Sequence, residues 1–319
     1  MPSNQTPLGA LPARFRRQRV LIVGCGDVGL RTAGQLGAPQ SQRVRLMALT
    51  SSPERVRLLR ACGITPLLGD LDDPGSVKRL AGLAHRVLHL APPASERQGD
   101  SERDLRSVAL GRVLRLRTPP LALVYGSTTG VYGDCGGQRV SETRAVNPHT
   151  PRAQRRVDAE AAMRFLGRSG VRVSVLRIPG IYAPDREGGT PRGRLLKGTP
   201  VLVAKEDVYT NHIHANDLAR ACAAALWRGK AQRVVNVTDD TDLKMGDYFD
   251  LAADLYGLTR PPRLSRRDAN AALPLMLLSF MNESRRLDNT RMKQELRLKL
   301  LYPHVRDGLS PQGALFSEG

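Results

Sequence analysis

From residue 19 to about residue 237 the chain alternates short apolar blocks with longer stretches whose apolar residues recur at helical spacing. The blocks at 20–23, 44–49, 64–68, 87–90, 121–126 and 171–178 predict strands buried on both faces, as in a parallel sheet. The stretches at 28–36, 52–62, 76–83, 101–117 and 152–167 predict the helices between them. The second of these opens with good start chemistry: Ser52 as a cap, Pro53 in the first turn, and Glu54 near the positive end of the dipole. Strands and helices alternating at this spacing predict an α/β chain with a doubly wound parallel sheet.

Past Pro179 the pattern loosens. Residues 185–200, rich in Gly, Pro and Arg, predict a loop that covers a substrate. A helix is expected at 215–227 and a late strand at 233–237 that returns to the sheet. Helices at 242–256, 268–284 and 289–298 would complete a smaller C-terminal region. The expected division is a flexible basic lead-in at 1–18, a dinucleotide-binding domain at 19–180 rejoined by 213–238, and a substrate-binding region built from 181–212 and 239–319.

Candidate chemistry begins where the first strand ends. Gly24-Cys25-Gly26-Asp27-Val28-Gly29 is a Gly-x-Gly-x-x-Gly turn placed between a strand and a helix. Gly24 permits the tight turn, Gly26 lets the backbone approach a pyrophosphate, and Gly29 lets the helix pack closely on the strand. The helix start at Val28, with Asp27 just before it in the cofactor-binding turn, then offers free amides and a positive dipole end to the phosphates. Discrimination between the nicotinamide dinucleotides falls at the end of the second strand. An acid there would bind the ribose 2′-OH and repel a 2′-phosphate. Here Thr50, Ser51 and Ser52 stand instead, followed by Arg55, with Arg31 just past the third glycine. Hydroxyls and guanidinium groups suit a phosphate, so NADP is expected over NAD.

Composition narrows the partners. With 49 Lys and Arg against 30 Asp and Glu, the formal net charge of +19 raises nucleic acid as a partner. The arginines are spread along the chain and base-stacking aromatics make up only 4%, so dedicated nucleic-acid recognition is not expected. No apolar run approaches the roughly 20 residues needed to cross a bilayer. Cys25, Cys62, Cys135 and Cys222 lack paired spacing, which predicts reduced thiols and a cytoplasmic protein. His212-x-His214 has no third ligand by motif, so no metal is expected. Asp239, Asp240 and Asp242 read as a solvated turn and helix start, and Arg285-Arg286 as an exposed basic face.

Gly126-Ser127-Thr128-Thr129-Gly130-Val131-Tyr132-Gly133-Asp134 adds a second signature. With it stand the glycine turn, Gly69-Asp70-Leu71, His89-Leu90-Ala91-Pro92-Pro93, and Leu176-Arg177-Ile178-Pro179-Gly180-Ile181-Tyr182-Ala183-Pro184. Asn211-His212-Ile213-His214-Ala215-Asn216-Asp217-Leu218-Ala219, Tyr302-Pro303 and Asp307-Gly308-Leu309 follow in order. In this order the segments resemble the extended and atypical branch of the short-chain dehydrogenase/reductase superfamily, the NAD-dependent epimerase/dehydratase group. The resemblance implies a Rossmann-type sheet that binds the dinucleotide, a C-terminal region that closes over a small molecule, commonly a nucleotide-sugar, and a homodimer through a helix pair. It implies Thr128, with Ser127 as the neighbouring alternative, as the hydroxyl that bonds the substrate. It also implies Asp70 and Leu71 in the adenine pocket, Ala91 and Pro92 near the adenosine ribose, and Pro179 and Gly180 facing the nicotinamide.

One departure is serious. The group's acid–base pair is Tyr-x-x-x-Lys on the helix after the Val-Tyr-Gly turn. Aligning Ala159-Glu160 puts Arg152 at the tyrosine position and Arg156 at the lysine position, and no tyrosine of the chain is followed four residues later by lysine. Guanidinium does not release its proton at ordinary pH. Arg152 is therefore expected to bind substrate, and Arg156 to hold ribose hydroxyls or phosphates. Three readings stay open. An oxidoreductase, epimerase or dehydratase could use Tyr132, Tyr182 or His214 as a substitute proton carrier, the last two also touching substrate. Arg152, Arg155, Arg156 and Arg177 could form an anion clamp. The third reading is a catalytically silent NADP(H)-binding sensor or scaffold.

Overall fold

The computed structural model describes residues 17–37, 43–94 and 102–310. Nearly all of the expected lead-in at 1–18 lies outside them. Seven parallel strands form the central sheet: β1 (Gln18–Val23), β2 (Val44–Thr50), β3 (Thr65–Leu68), β4 (Arg86–His89), β5 (Ala122–Thr128), β6 (Arg172–Ile178) and β7 (Arg233–Asn236). Their order is β7-β6-β5-β4-β1-β2-β3, so the winding direction reverses between β1 and β4 and opens a crevice at the strands' C-terminal ends. The late strand β7 pairs in parallel with β6, Val235 opposite Leu176.

The apolar blocks bury two faces because side chains alternate along a strand. Val20 and Ile22 of β1 point to the layer holding α1 (Asp27–Gln35), α2 (Arg55–Ala61) and the later helix at 215–228. Leu21 and Val23 point to the opposite layer, with α3 (Leu105–Leu114) and α4 (Pro151–Gly167). All four are fully buried. A full strand of such residues leaves no polar face, which is why the sheet needs helices on both sides.

The C-terminal part departs from its expected elements in two places. Residues 185–200 are not wholly loop, because they contain α5 (Arg192–Leu196). After α6 (Ala215–Arg228) and α7 (Met245–Tyr256), the helix expected at 268–284 is two helices, α8 (Arg266–Ala272) and α9 (Leu275–Met281). Pro274 has no N–H to give and forces Leu273 out of the helical region, to φ −105° and ψ 146°. Then come α10 (Thr290–Glu295), with Met292 fully buried, and α11 (Val305–Leu309). A separate apolar cluster holds this part together around Phe249, Ala252, Leu202 and Val305. Among the described residues, no helix is long and apolar enough to cross a membrane.

Candidate functional site

Two concavities lie beyond the C-terminal ends of the strands. The first is a groove of about 360 Å³ lined by Gly24, Gly26, Thr50, Ser51, Arg55, Asp70, Leu71, Ala91 and Pro92, all expected at a cofactor. Asp27, Val28 and Gly29 form the first turn of α1 beside it. The cap position is Gly26, which supplies no side-chain acceptor, so the first-turn amides remain available. A Cβ on Gly26 would meet nothing within 4 Å, whereas one on Gly29 would press at 3.3 Å on Cys25, Gly24 and Ile22. The turn thus leaves open space on its outer side and a tight helix–strand contact on its inner side. These residues fit a dinucleotide diphosphate.

At the far end of the groove Arg55 Nη2 donates to Cys25 O at 2.7 Å, tying the start of α2 to the glycine turn. Arg31 is placed differently from expectation. Its guanidinium is spent on Asp27 Oδ1 at 2.8 Å, Asn216 Oδ1 at 2.6 Å and Asp185 Oδ2 at 2.8 Å, and it does not line the groove. An arginine one turn into a helix with carboxylates on either side goes to them rather than to the open corner. Burial pushes the Cys25 thiol up to about 11, so it is a packing residue and not a nucleophile at neutral pH.

The second concavity is a cavity of about 570 Å³. Of the residues expected at a reaction centre or substrate, Thr128, Arg152, Pro179, Gly180 and Tyr182 line it. Thr128 Oγ1 accepts from Gly130 N at 3.3 Å, which leaves the hydroxyl proton to donate. Arg152 sits in the first turn of α4, behind the Thr150 cap and Pro151, where the dipole repels a cation and no acid compensates it. Gly180 stands on a short strand (Gly180–Tyr182) paired with His212–His214, which brings the His212 ring beside it.

Several expected residues do not reach this cavity or, like Tyr182, reach it with their polar atom held elsewhere. Ser127 donates to Glu160 Oε1 at 2.6 Å and is buried. The Tyr132 hydroxyl donates to Asn236 Oδ1 at 2.8 Å and its ring lies under Arg177, so it carries no proton to a ligand. His214 Nδ1 accepts from Asn216 N at the start of α6, and the ring stacks on Tyr302 at 3.7 Å. Tyr182 lines the wall, yet its hydroxyl donates to His304 O at 3.4 Å and burial weakens its acidity. Arg156 Nη1 is held by Tyr125 Oη at 3.1 Å and Gly126 O at 2.8 Å, at the end of β5. The four-arginine clamp does not assemble: Arg177 is paired with Glu160 inside the protein, and Arg155 is buried away from the cavity.

Other residues take those places. Arg186, Arg194, His212, Tyr248, Glu283 and Arg285 all line the cavity. Arg186 Nη1 also donates to Asp27 Oδ2 at 3.0 Å. Together with the Arg31–Asp185 pair, this clasps the 185–189 loop to the first turn of α1, so one network borders both concavities. Arg285 is not on an exposed face; it pairs with Glu283 at 2.7 Å and reaches Gly133 O at 2.8 Å. Nothing in local sequence separates these arginines from the solvated ones around them, since their selection depends on residues far along the chain.

Asp239 is likewise not a solvated turn. It is 3% exposed, and while one oxygen accepts from Thr241 N, Oδ2 has no partner among the described residues. Burial pushes its carboxyl up to about 8, while burial holds His89 down to about 3 and His212 and His214 down to about 4. The signs oppose. The three imidazoles stay neutral in the fold but protonate in the unfolded chain below about 6.5, so they make stability rise with pH from about 4 to 6.5. Asp239 keeps its proton in the fold after the unfolded chain has lost it, so it makes stability fall from its ordinary 3.8 to about 8. His85, also held down by burial, adds to the imidazoles, and Asp104 and Asp207, also pushed up by burial, add to Asp239. The four imidazoles outweigh the three carboxyls below 6.5, and the fall toward pH 8 is assigned to Asp239, whose carboxyl is carried to about 8. The urea midpoint is therefore expected to peak near pH 6.5 and decline toward pH 8. In Asp239→Asn the decline should vanish; a decline of the same size in that variant contradicts the assignment.

This arrangement defines a Rossmann-type protein with a glycine-turn groove and an adjoining cavity under the C-terminal region. The family model described as the NAD dependent epimerase/dehydratase family matches residues 20–238, and the chain belongs to that family. It is 31% identical over 94% of its length to a functionally unknown conserved protein from Silicibacter pomeroyi, of which 99% is covered, with a TM-score of 0.77. The dTDP-glucose 4,6-dehydratase DesIV of Streptomyces venezuelae, solved with NAD bound, shares the fold at a TM-score of 0.74 and 20% identity, covering 95% of this chain and 98% of that one. An uncharacterized protein of Schizosaccharomyces pombe, C2A9.02, is 31% identical over 167 residues. That match takes in 50% of this chain and 53% of the relative, so the chain spans about half the length of the curated relative it matches.

Proposed function

We propose that the groove binds a nicotinamide dinucleotide, NADP in preference to NAD, and that the cavity holds a small anionic or nucleotide-sugar substrate beside it. The observation that carries this reading is the glycine turn with free first-turn amides, opening toward the lining residues at and after the end of β2, Thr50, Ser51, Ser52 and Arg55, none of them a carboxylate. Gly24, Gly26, Asp27, Val28 and Gly29 would hold the diphosphate through backbone amides. Thr50, Ser51 and Arg55 would bind a 2′-phosphate, Asp70, Leu71, Ala91 and Pro92 would enclose the adenosine, and Pro179 with Gly180 would face the nicotinamide. When bound, the nicotinamide supplies a hydride donor or acceptor. Thr128 donates a hydrogen bond to a substrate oxygen, Arg152 attracts the substrate's charge, and the clasped 185–189 loop keeps water out. Arg156 presents its remaining N–H groups toward the ribose from the end of β5. Free thiols and the lack of a membrane-crossing helix among the described residues accord with a cytoplasmic enzyme.

A second reading is a silent NADP(H) sensor. It is favoured by the cavity's proton carriers, since His212 is held down to about 4 and the Tyr182 and Tyr248 hydroxyls are weakened by burial. Mixing the protein with NADP and a nucleotide-sugar panel while following reduced-nicotinamide absorbance separates the two. Signal in a single turnover that falls about tenfold in Thr128→Val identifies an enzyme. Tight NADPH binding with no signal across the panel identifies the sensor.

A further inference from the structure

The cavity wall is charged more strongly than its neighbourhood requires. It carries four arginines and a single carboxylate, Glu283, which Arg285 already holds at 2.7 Å. Arg186 is held by Asp27. Arg152 is exposed at the mouth and solvated. Arg194 differs from all three: it is partly buried and meets no carboxylate among the described residues. Its guanidinium carbon instead lies 4.2 Å from the centroid of the Phe249 ring.

A ring face attracts a cation but accepts no ordinary hydrogen bond, so the five N–H donors of the fork are unmet by it. Arginine cannot shed its charge to escape burial. Other inward-facing arginines meet the same problem with acids, as Arg177 does with Glu160 and Arg263 with Asp250, or with carbonyl oxygens, as Arg86 does with Leu226 O and Arg156 with Gly126 O. No such side-chain partner is found for Arg194 among the described residues. Desolvation lowers the Arg194 pKa from the ordinary value, opposed in part by the neighbouring Tyr248 and by no carboxylate. The Tyr248 hydroxyl, also in the wall, has no hydrogen-bond partner among the described residues and can donate beside it.

We propose that Arg194 is the oxyanion-binding residue of the cavity, taking a carboxylate or phosphate of the substrate edge-on while Phe249 supports its face. This rests on the reading of the cavity as the substrate site and names the chemical group that site selects. Two parallel N–H···O contacts fit a carboxylate or phosphate, whereas a neutral carbonyl would leave the charge unanswered. The ligand is therefore an anion before it is a sugar.

Calorimetric titration of the full chain with inorganic phosphate, succinate and uridine diphosphate tests it, up to about 10 mM of each. NADPH is titrated into the same preparations. At least one of the three anions is expected to bind, and Arg194→Gln to weaken it by roughly tenfold or more. Arg194→Lys keeps the charge without the fork and should fall between. Succinate alone binding assigns a carboxylate, phosphate or the diphosphate alone a phosphate group. NADPH affinity within about twofold across the variants shows that the fold is intact. The inference is overturned if none of the anions binds the wild type, or if Arg194→Gln binds them as the wild type does. Failure of NADPH to bind the wild type would instead sink the cofactor reading, whatever the anions do.

Discussion

Gly24→Ala is expected to cost about 3 kcal/mol or more of stability and to take nucleotide binding with it. Gly24 has φ +85°, a region that L side chains rarely adopt, and a Cβ there would lie 2.3 Å from Ala91 N and 2.6 Å from Ala91 Cα. Both atoms are backbone two residues past the end of β4, so nothing flexible can give way, and the crevice between β1 and β4 would have to widen. Gly26→Ala is the informative companion. Its Cβ meets nothing, so the thermal midpoint should stay within about 2 °C, while affinity for the dinucleotide falls about a hundredfold because the methyl occupies the phosphates' place. Unchanged affinity in a folded Gly26→Ala protein would mean that the turn does not hold a diphosphate.

Glu160→Ala is expected to destabilise by about 3 to 5 kcal/mol, measured by urea unfolding. Glu160 receives Arg177 Nε at 3.1 Å and Nη2 at 2.8 Å and the Ser127 hydroxyl at 2.6 Å, and both charged side chains are nearly inaccessible. Removing the carboxylate leaves a guanidinium that cannot neutralise itself, over the Tyr132 ring at 4.6 Å. Glu160→Gln should also destabilise, by less, because its oxygen still accepts from Ser127 or Arg177. The pair matters beyond stability, since Ser127 precedes Thr128 and the pair pins the end of β5 where the groove approaches the cavity. A loss under about 1 kcal/mol in Glu160→Ala would show that the pair contributes as little as a surface pair.

The sheet and the glycine turn were legible because their signals are local. Four apolar residues in a row followed by a glycine triplet need no knowledge of distant partners, and β1, α1 and the groove lie where that pattern puts them. The break between α8 and α9 was legible in principle, as Pro274 stands in the stretch, but the run of Leu and Met around it outweighed the proline. The cavity was legible only in part. Thr128 and Arg152 follow from motif position, yet Arg177 belongs to Glu160, Arg31 to Asp27 and Asp185, and Arg194 to no acid. Which arginine is spent and which is left depends on helix–strand contacts across the chain. The burial of Asp239 is hidden from the sequence for the same reason: three acids close together look solvated until His212 O and Pro303 O accept from Asp239 N and Asp240 N and hold the turn inward.

The most direct measurement is a calorimetric titration of the wild-type chain with NADPH and NADH in parallel. The expected result is saturable binding of one dinucleotide per chain, NADPH about tenfold the tighter, with the difference reduced in Arg55→Gln. Uptake of neither nucleotide by folded protein would contradict the role of the glycine turn, and tighter NADH would contradict the role given to Thr50, Ser51 and Arg55.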